Sequence, residues 1–214
     1  MKVLGIDSSG LVASVAVVED DILLAEYTVN YKKTHSQTLL PMLKEIGDMI
    51  NLDLNSLDAI AIAAGPGSFT GLRIGSATAK GLGLALDKPI IPVPTVDGLA
   101  YDLWGTDKIV CPIMDARRNQ VYTGVYCYTD HRLDTVWEQD TMSIEALAEG
   151  LNCLDHEVIF LGDGVAVYRE KLEALLTIPF SFAPAHVNRQ RAAAVGALAE
   201  VYYKEGKIQT AEEL

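Results

Sequence analysis

From the first residue, apolar runs of strand length alternate with short polar breaks. Lys2 to Asp7, Leu11 to Val18 and Ile22 to Val29 are separated by Ser8-Ser9-Gly10 and Glu19-Asp20-Asp21, a pattern that predicts a β-meander. The period then changes. Between Ser36 and Asn51 the residues Leu39, Leu43, Ile46 and Ile50 recur at helical spacing. Asp58 to Ala64 reads as a buried strand broken by Gly65-Pro66-Gly67, and Thr70 to Leu86 as a helix stopped by Asp87-Lys88-Pro89. Ile90 to Val93 is a further strand, and Thr95 to Trp104 a further helix. The predicted order is βββαβαβα.

The second half repeats this order. Strands are predicted near 108–114, 120–128, 133–140 and 158–161, a short helix near 143–150, and helices near 164–176 and 188–205. The first strands of the two halves end alike, Leu4-Gly5-Ile6-Asp7 and Pro112-Ile113-Met114-Asp115. Each fourth strand runs into a Gly-x-Gly turn, Gly65-Pro66-Gly67 and Gly162-Asp163-Gly164. A duplicated βββαβαβα unit with an Asp after each first strand resembles the actin, sugar-kinase and Hsp70 (ASKHA) superfamily, an α/β fold with nucleotide between two lobes. The expected lobes are residues 1–105 and 106–214. Fold by itself does not give function.

With 214 residues, half of them hydrophobic, the chain can bury a full core. A formal charge of −12 disfavours nucleic-acid binding by this chain alone, because phosphate contacts need a positive surface, so any RNA is expected to be held by something else. No run reaches the roughly 18 apolar residues of a membrane span, and Met1 leads directly into a strand, so a cytoplasmic location is expected. Cys111, Cys127 and Cys153 form no CxxC pair and read as ordinary thiols. His35, His131, His156 and His186 are never three or four apart, and GxSxG and HExxH are absent, so no metal pair or hydrolase motif is written in the chain.

Several segments are candidates for chemistry. In an ASKHA layout the Asp7-Ser8-Ser9 turn offers a carboxylate to magnesium and hydroxyls to phosphate, with Asp115 opposite it. Gly162 and Gly164 could lie under an adenine, and Arg117 and Arg118 could meet an anion. The alternative is that these are polar turn and ion-pair residues. Ser36 is expected to cap the first long helix, with His35 before it. The segment Ala64 to Gly75, AGPGSFTGLRIG, lacks the Walker pattern GxxxxGK[ST]. Within and beyond it, Gly71, Gly75, Ala79 and Gly83 fall four apart and lay a stripe of minimal side chains along one helical face. Each glycine costs a helix interior about 1 kcal/mol relative to alanine, so close approach by another element is expected there, inside the domain or across an interface. On the interface alternative, Gly75→Leu should block association and leave the monomer folded.

Met1 to Ser9, Thr34-His35-Ser36 through Leu43, the segment from Ala64 to Gly75, Lys80-Gly81-Leu82 and Met114-Asp115-Ala116-Arg117-Arg118 together resemble the TsaB (YeaZ) family. The resemblance implies participation in forming N6-threonylcarbamoyladenosine at position 37 of tRNAs that read codons starting with A. It implies a homodimer, or pairing with a related TsaD-like catalytic subunit, with a TsaE-like ATPase joining the assembly and tRNA contacted only through the complex. The interface residues it implies, together with the stripe, are His35, Leu39, Leu43, Gly71, Arg73, Gly75, Ala79 and Gly83. The catalytic relative carries a metal-binding HxxxH pair where this chain has Thr95 and Leu99, which implies a catalytically silent subunit needing no cofactor of its own, with ATP or ADP and magnesium possible at the complex interface. The competing readings are a small ATP-dependent kinase of the ASKHA fold, which requires tight ATP-magnesium binding, and a peptidase, which requires a metal or an activated nucleophile.

Overall fold

Strand β1 (Lys2–Asp7) is buried along nearly its whole length, and the two sides of its pleat serve different helices. The computed structural model describes residues 1–30 and 35–214, the side chains of residues 35–37 excepted, so the expectations for His35 and Ser36 lie outside the described residues. Two units are present, one of Met1–Gly98 with Gln190–Leu214, the other of Leu99–Arg189.

In the first unit, β1 pairs antiparallel with β2 (Val12–Glu19) and parallel with β4 (Ala59–Ala63), placing Gly5 opposite Ala16 and Ala61. With β3 (Ile22–Asn30) and β5 (Ile90–Val93) the sheet order is β3-β2-β1-β4-β5. Leu4 and Ile6 point to one face, where α1 (His35–Ile50) and α2 (Phe69–Leu86) complete a core with Leu39, Leu43, Ile46, Ile60, Ile62 and Ala79. Leu39 and Leu43 are therefore core residues, 2% and 7% exposed.

The other face of β1 is covered by α6 (Ala192–Lys204), whose inner surface is Ala192, Val195, Gly196 and Ala199. The helix lies so close that a side chain on Gly5 would collide with the Ala192 carbonyl. Its first turn is satisfied by the sheet: the Ala192 N–H donates to Ser14 Oγ (2.9 Å), the Ala193 N–H to Glu26 Oε1 (3.1 Å), and Arg191 Nε to Glu26 Oε2 (3.1 Å). These contacts correct the expected lobe of residues 106–214, since the last 25 residues, Gln190–Leu214, belong with the first unit. The boundary also falls within α3 (Thr95–Tyr101) instead of after it.

The second unit repeats the first strand for strand. Its central β6 (Ile109–Arg117) pairs antiparallel with β7 (Gln120–Thr129) and parallel with β9 (Val158–Leu161), and with β8 (Arg132–Ser143) and β10 (Phe180–Phe182) the order is β10-β9-β6-β7-β8. Helices α4 (Ile144–Leu151) and α5 (Gly164–Leu175) close the core with Leu147, Leu151 and Leu172 over Cys111, Ile113 and Phe160. The duplicated βββαβαβα order is thus observed. Strand β10 was not anticipated, because three residues after Pro179 carry too little periodicity to separate them from a loop. Among the described residues no helix is long and apolar enough to cross a membrane.

The small-residue stripe of α2 faces inward. Gly71, Gly75, Ala79 and Gly83 are its buried residues, and a side chain on Gly75 would strike Ser8 Oγ and come 2.9 Å from Ile62 Cδ1. The stripe exists so that α2 can lie on β1 and β4, which overturns the expectation that Gly75→Leu leaves the monomer intact. Gly75→Leu should instead lower unfolding stability by about 3 kcal/mol or more, read as a drop in the urea midpoint of the isolated chain.

Candidate functional site

The turn after β1 is engaged by the protein itself. Asp7 Oδ1 accepts from the Ser9 N–H (2.8 Å) and Ser9 Oγ (2.7 Å), and Ser8 Oγ donates to the Gly71 carbonyl (2.9 Å). The Ser68 N–H donates to the Ser9 carbonyl (2.6 Å), while the Ser68 hydroxyl caps α2 by accepting from the Gly71 N–H. A side chain on Gly67 would collide with the same Ser9 carbonyl. The residues expected to cradle phosphate are thus the mortise that seats the start of α2, and Asp7, Ser8 and Ser9 are each at most 2% exposed. Thr95 holds the other side of the Gly65-Pro66-Gly67 turn: its N–H donates to the Gly65 carbonyl (2.7 Å) and its Oγ1 accepts from the Gly65 N–H (3.1 Å). Leu99 is 1% exposed, a core side chain.

In the second unit Asp115 is likewise turned inward. Its Oδ1 accepts from the Arg117 N–H (2.9 Å) and the Tyr168 hydroxyl (3.0 Å), and its own N–H donates to Asp163 Oδ1 (3.2 Å). The bare faces of Gly162 and Gly164 both abut the Ile113 carbonyl, so the Gly-x-Gly turn serves packing on β6. Arg117, Arg118 and Asn119 have φ of 65°, 52° and 63° and form the tip of the β6–β7 hairpin, with both arginines exposed. Burial raises the Asp163 carboxyl above its ordinary value, opposed by the Asp115 N–H and the Arg189 charge and reinforced by the Asp115 charge. Burial also pushes the Cys111 thiol up to about 12, which leaves it inert as a nucleophile. Among the described residues no three His, Cys, Asp or Glu side chains converge as metal ligands.

Among the described residues the outer side of α1 and α2 is open. A groove of about 450 Å³ runs between the helices, lined by Leu39, Leu40, Ile74, Ala77, Thr78, Gly81 and Leu82. Leu40, which lines it, is 55% exposed, and at the start of α2 Phe69 is 68% exposed with the Arg73 guanidinium 3.8 Å from its ring centre. Arg73, Ala77, Gly81 and Leu84 share the face of α2 opposite the buried stripe. Nothing lies within 4 Å of where a Gly81 side chain would begin. Of the interface residues expected from sequence, Arg73 is on this outer face and Leu39 lines the groove, whereas Leu43, Gly71, Gly75, Ala79 and Gly83 are buried. Leu40, Phe69, Ala77 and Gly81, exposed on these helices, were not among the residues expected. The spacing of Ala77 and Gly81 was a usable signal, but a helix with two small stripes does not say which one meets the sheet.

Two repeated five-stranded units with this strand order, and with helices on the sheet faces, place the chain in the ASKHA fold class. A glucomannokinase from Arthrobacter shares that fold at a TM-score of 0.52 and 16% identity, covering 95% of this chain and 99% of the kinase. A family model described as "TsaD: tRNA N6-adenosine threonylcarbamoyltransferase" matches residues 23–213. The tRNA threonylcarbamoyladenosine biosynthesis protein TsaB of Bacillus subtilis is 35% identical over 82% of this chain and 77% of its own length. YeaZ from Pseudomonas aeruginosa superposes with a TM-score of 0.85 at 27% identity, covering 99% of this chain and 96% of that one. The chain belongs to the TsaB (YeaZ) family, within the wider group described by the TsaD model.

Two outcomes follow from the charged and thiol groups. A raised folded-state carboxyl contributes stability only at low pH and loses it as pH rises through the folded value. Asp163→Asn should therefore raise the melting temperature at pH 7, with the gain vanishing as pH falls below the ordinary carboxylate range. Alkylation at pH 8 followed by peptide mass spectrometry should label exposed Cys153 and leave Cys111 unmodified in the native chain.

Proposed function

We propose that the chain is a non-catalytic subunit that pairs with a TsaD-type catalytic subunit in forming N6-threonylcarbamoyladenosine at position 37 of tRNAs reading codons that start with A. The outer face of α1 and α2 is its docking surface. The observation that carries this reading is the apolar groove between those helices, with Leu40 exposed in its wall. Contiguous exposed apolar surface in a chain with a well-filled core marks a protein contact, and aromatic and arginine side chains are the usual anchors of such contacts. Phe69, held under Arg73, has the character of such an anchor.

The silent role is supported by what occupies the positions of the HxxxH pair. Thr95 is consumed in bracing a glycine turn and Leu99 in the core, so neither is placed to hold a metal. The serine hydroxyls after β1 are engaged within the fold, which weighs against the alternative of a small ATP-dependent kinase. A formal charge of −12 fits tRNA contact through the complex. When alone, the same apolar face would pair with a second copy, and a TsaE-like ATPase, with any ATP or ADP, would join at the assembled complex.

Gly81→Leu tests the reading without the flaw of Gly75→Leu, because the new side chain enters open space and removes a helix-weakening glycine. Its melting temperature should equal or exceed that of the parent, while isothermal titration against the catalytic subunit should show affinity reduced at least tenfold, a loss of about 1.4 kcal/mol or more. Arg73→Glu should weaken pairing similarly. Undiminished pairing in both folded variants would remove the outer face as the docking surface.

A further inference from the structure

The segment after α6 returns to the first unit and binds the far end of α2. Gln209 pairs with Ile90 in both directions, each N–H donating to the other's carbonyl at 2.8 Å, so this segment occupies the free edge of β5. Ala211 is 5% exposed and belongs to the core, and Leu214 packs against it. Two contacts join the segment to α2 itself. Lys80 Nζ donates to the Glu212 carbonyl (3.2 Å), and Ala211 fills the space beside Gly83, where an added side chain would begin 3.1 Å from the Ala211 Cβ. The last turn is closed by the Thr210 N–H and hydroxyl, both donating to Glu213 Oε2 at 2.8 and 3.0 Å.

Gly83 is thus the member of the inner stripe that makes room for the chain's own terminal segment as well as for the sheet. The rest of the stripe faces elsewhere, Gly75 meeting Ser8 and Ile62. At its first turn α2 is anchored by the Ser8, Ser9 and Ser68 hydrogen bonds. Its last turn ends in Asp87 with φ of 53°, and the Asp87 and Lys88 N–H groups both donate to the Gly83 carbonyl. Apart from this cap, the hydrogen bond from Lys80 and the packing of Ala211 are the terminal segment's grip on that half of the helix.

We propose that Gln209–Leu214 is a strap that clamps the carboxyl-terminal half of α2 onto the sheet and so positions the outer face of that helix for its partner. The positioning half rests on the function proposed above, whereas the clamping half does not. Lys80, Gly83 and Ala211 are positioning residues in this arrangement.

The test is hydrogen exchange by mass spectrometry on the isolated chain, beside titration against the catalytic subunit. It compares the parent, Gln209→Pro, which removes the N–H donated to Ile90, and Lys80→Ala with a chain ending at Gly206. The expected result is at least tenfold faster exchange in Ala79–Leu86 with α5 unchanged, and at least tenfold weaker pairing. Unchanged exchange in Ala79–Leu86 in the folded point variants overturns the strap, whatever the fate of the shortened chain. Faster exchange with undiminished pairing overturns the positioning half. A parent chain that does not pair at all counts against the proposed function and leaves the exchange result to decide the clamp.

Discussion

The structure of the first unit depends on how closely α2 approaches the central strands. Four positions of that helix carry no more than a methyl group, so its backbone can descend onto the Ser8 hydroxyl and the Ile62 side chain. The approach makes the Ser8 to Gly71 hydrogen bond possible, and with it the seating of the Ser68 cap and the glycine turn braced by Thr95. A bulkier stripe would lift the helix and leave several of these buried polar groups unpaired, which costs more than the packing alone. On the opposite face of the sheet α6 uses the same device, with Gly5 and Gly196 removing the side chains that would hold it away.

The same packing engages the polar residues that sequence placed at an ASKHA nucleotide site. A serine hydroxyl donating to a helix carbonyl cannot donate the same proton to a phosphate. The two glycines after β9 present their bare sides to the Ile113 carbonyl. The polar residues around both first strands therefore act as joinery. Between α1 and α2 the described residues leave an apolar groove open.

Charge has a smaller part. Several ion pairs, such as Lys44 with Asp48 and Lys171 with Glu145, are between well-exposed groups that contribute little each. The Arg191 to Glu26 pair differs, because Glu26 is largely buried and also receives the Ala193 N–H, so it fixes the entry to α6 as well as balancing charge.

Local pattern was enough to determine the order of elements other than β10, the duplication of the unit, and the tight packing implied by glycines every fourth residue. These follow from period and backbone sterics, which act within a few residues and are visible in a linear chain. The family was also legible, because the segment from Ala64 to Gly75 is distinctive. Only the tertiary structure decided which side of α2 meets the sheet, since Gly71, Gly75, Ala79 and Gly83 on one face and Ala77 and Gly81 on the other are both compatible with a close neighbour. It likewise decided that Gln190–Leu214 returns to the first unit, because the partners of α6 and of the terminal strap, Ser14, Glu26 and Ile90, lie more than a hundred residues away in sequence. Contacts at that separation are selected by the fit of whole surfaces, and no local period records them.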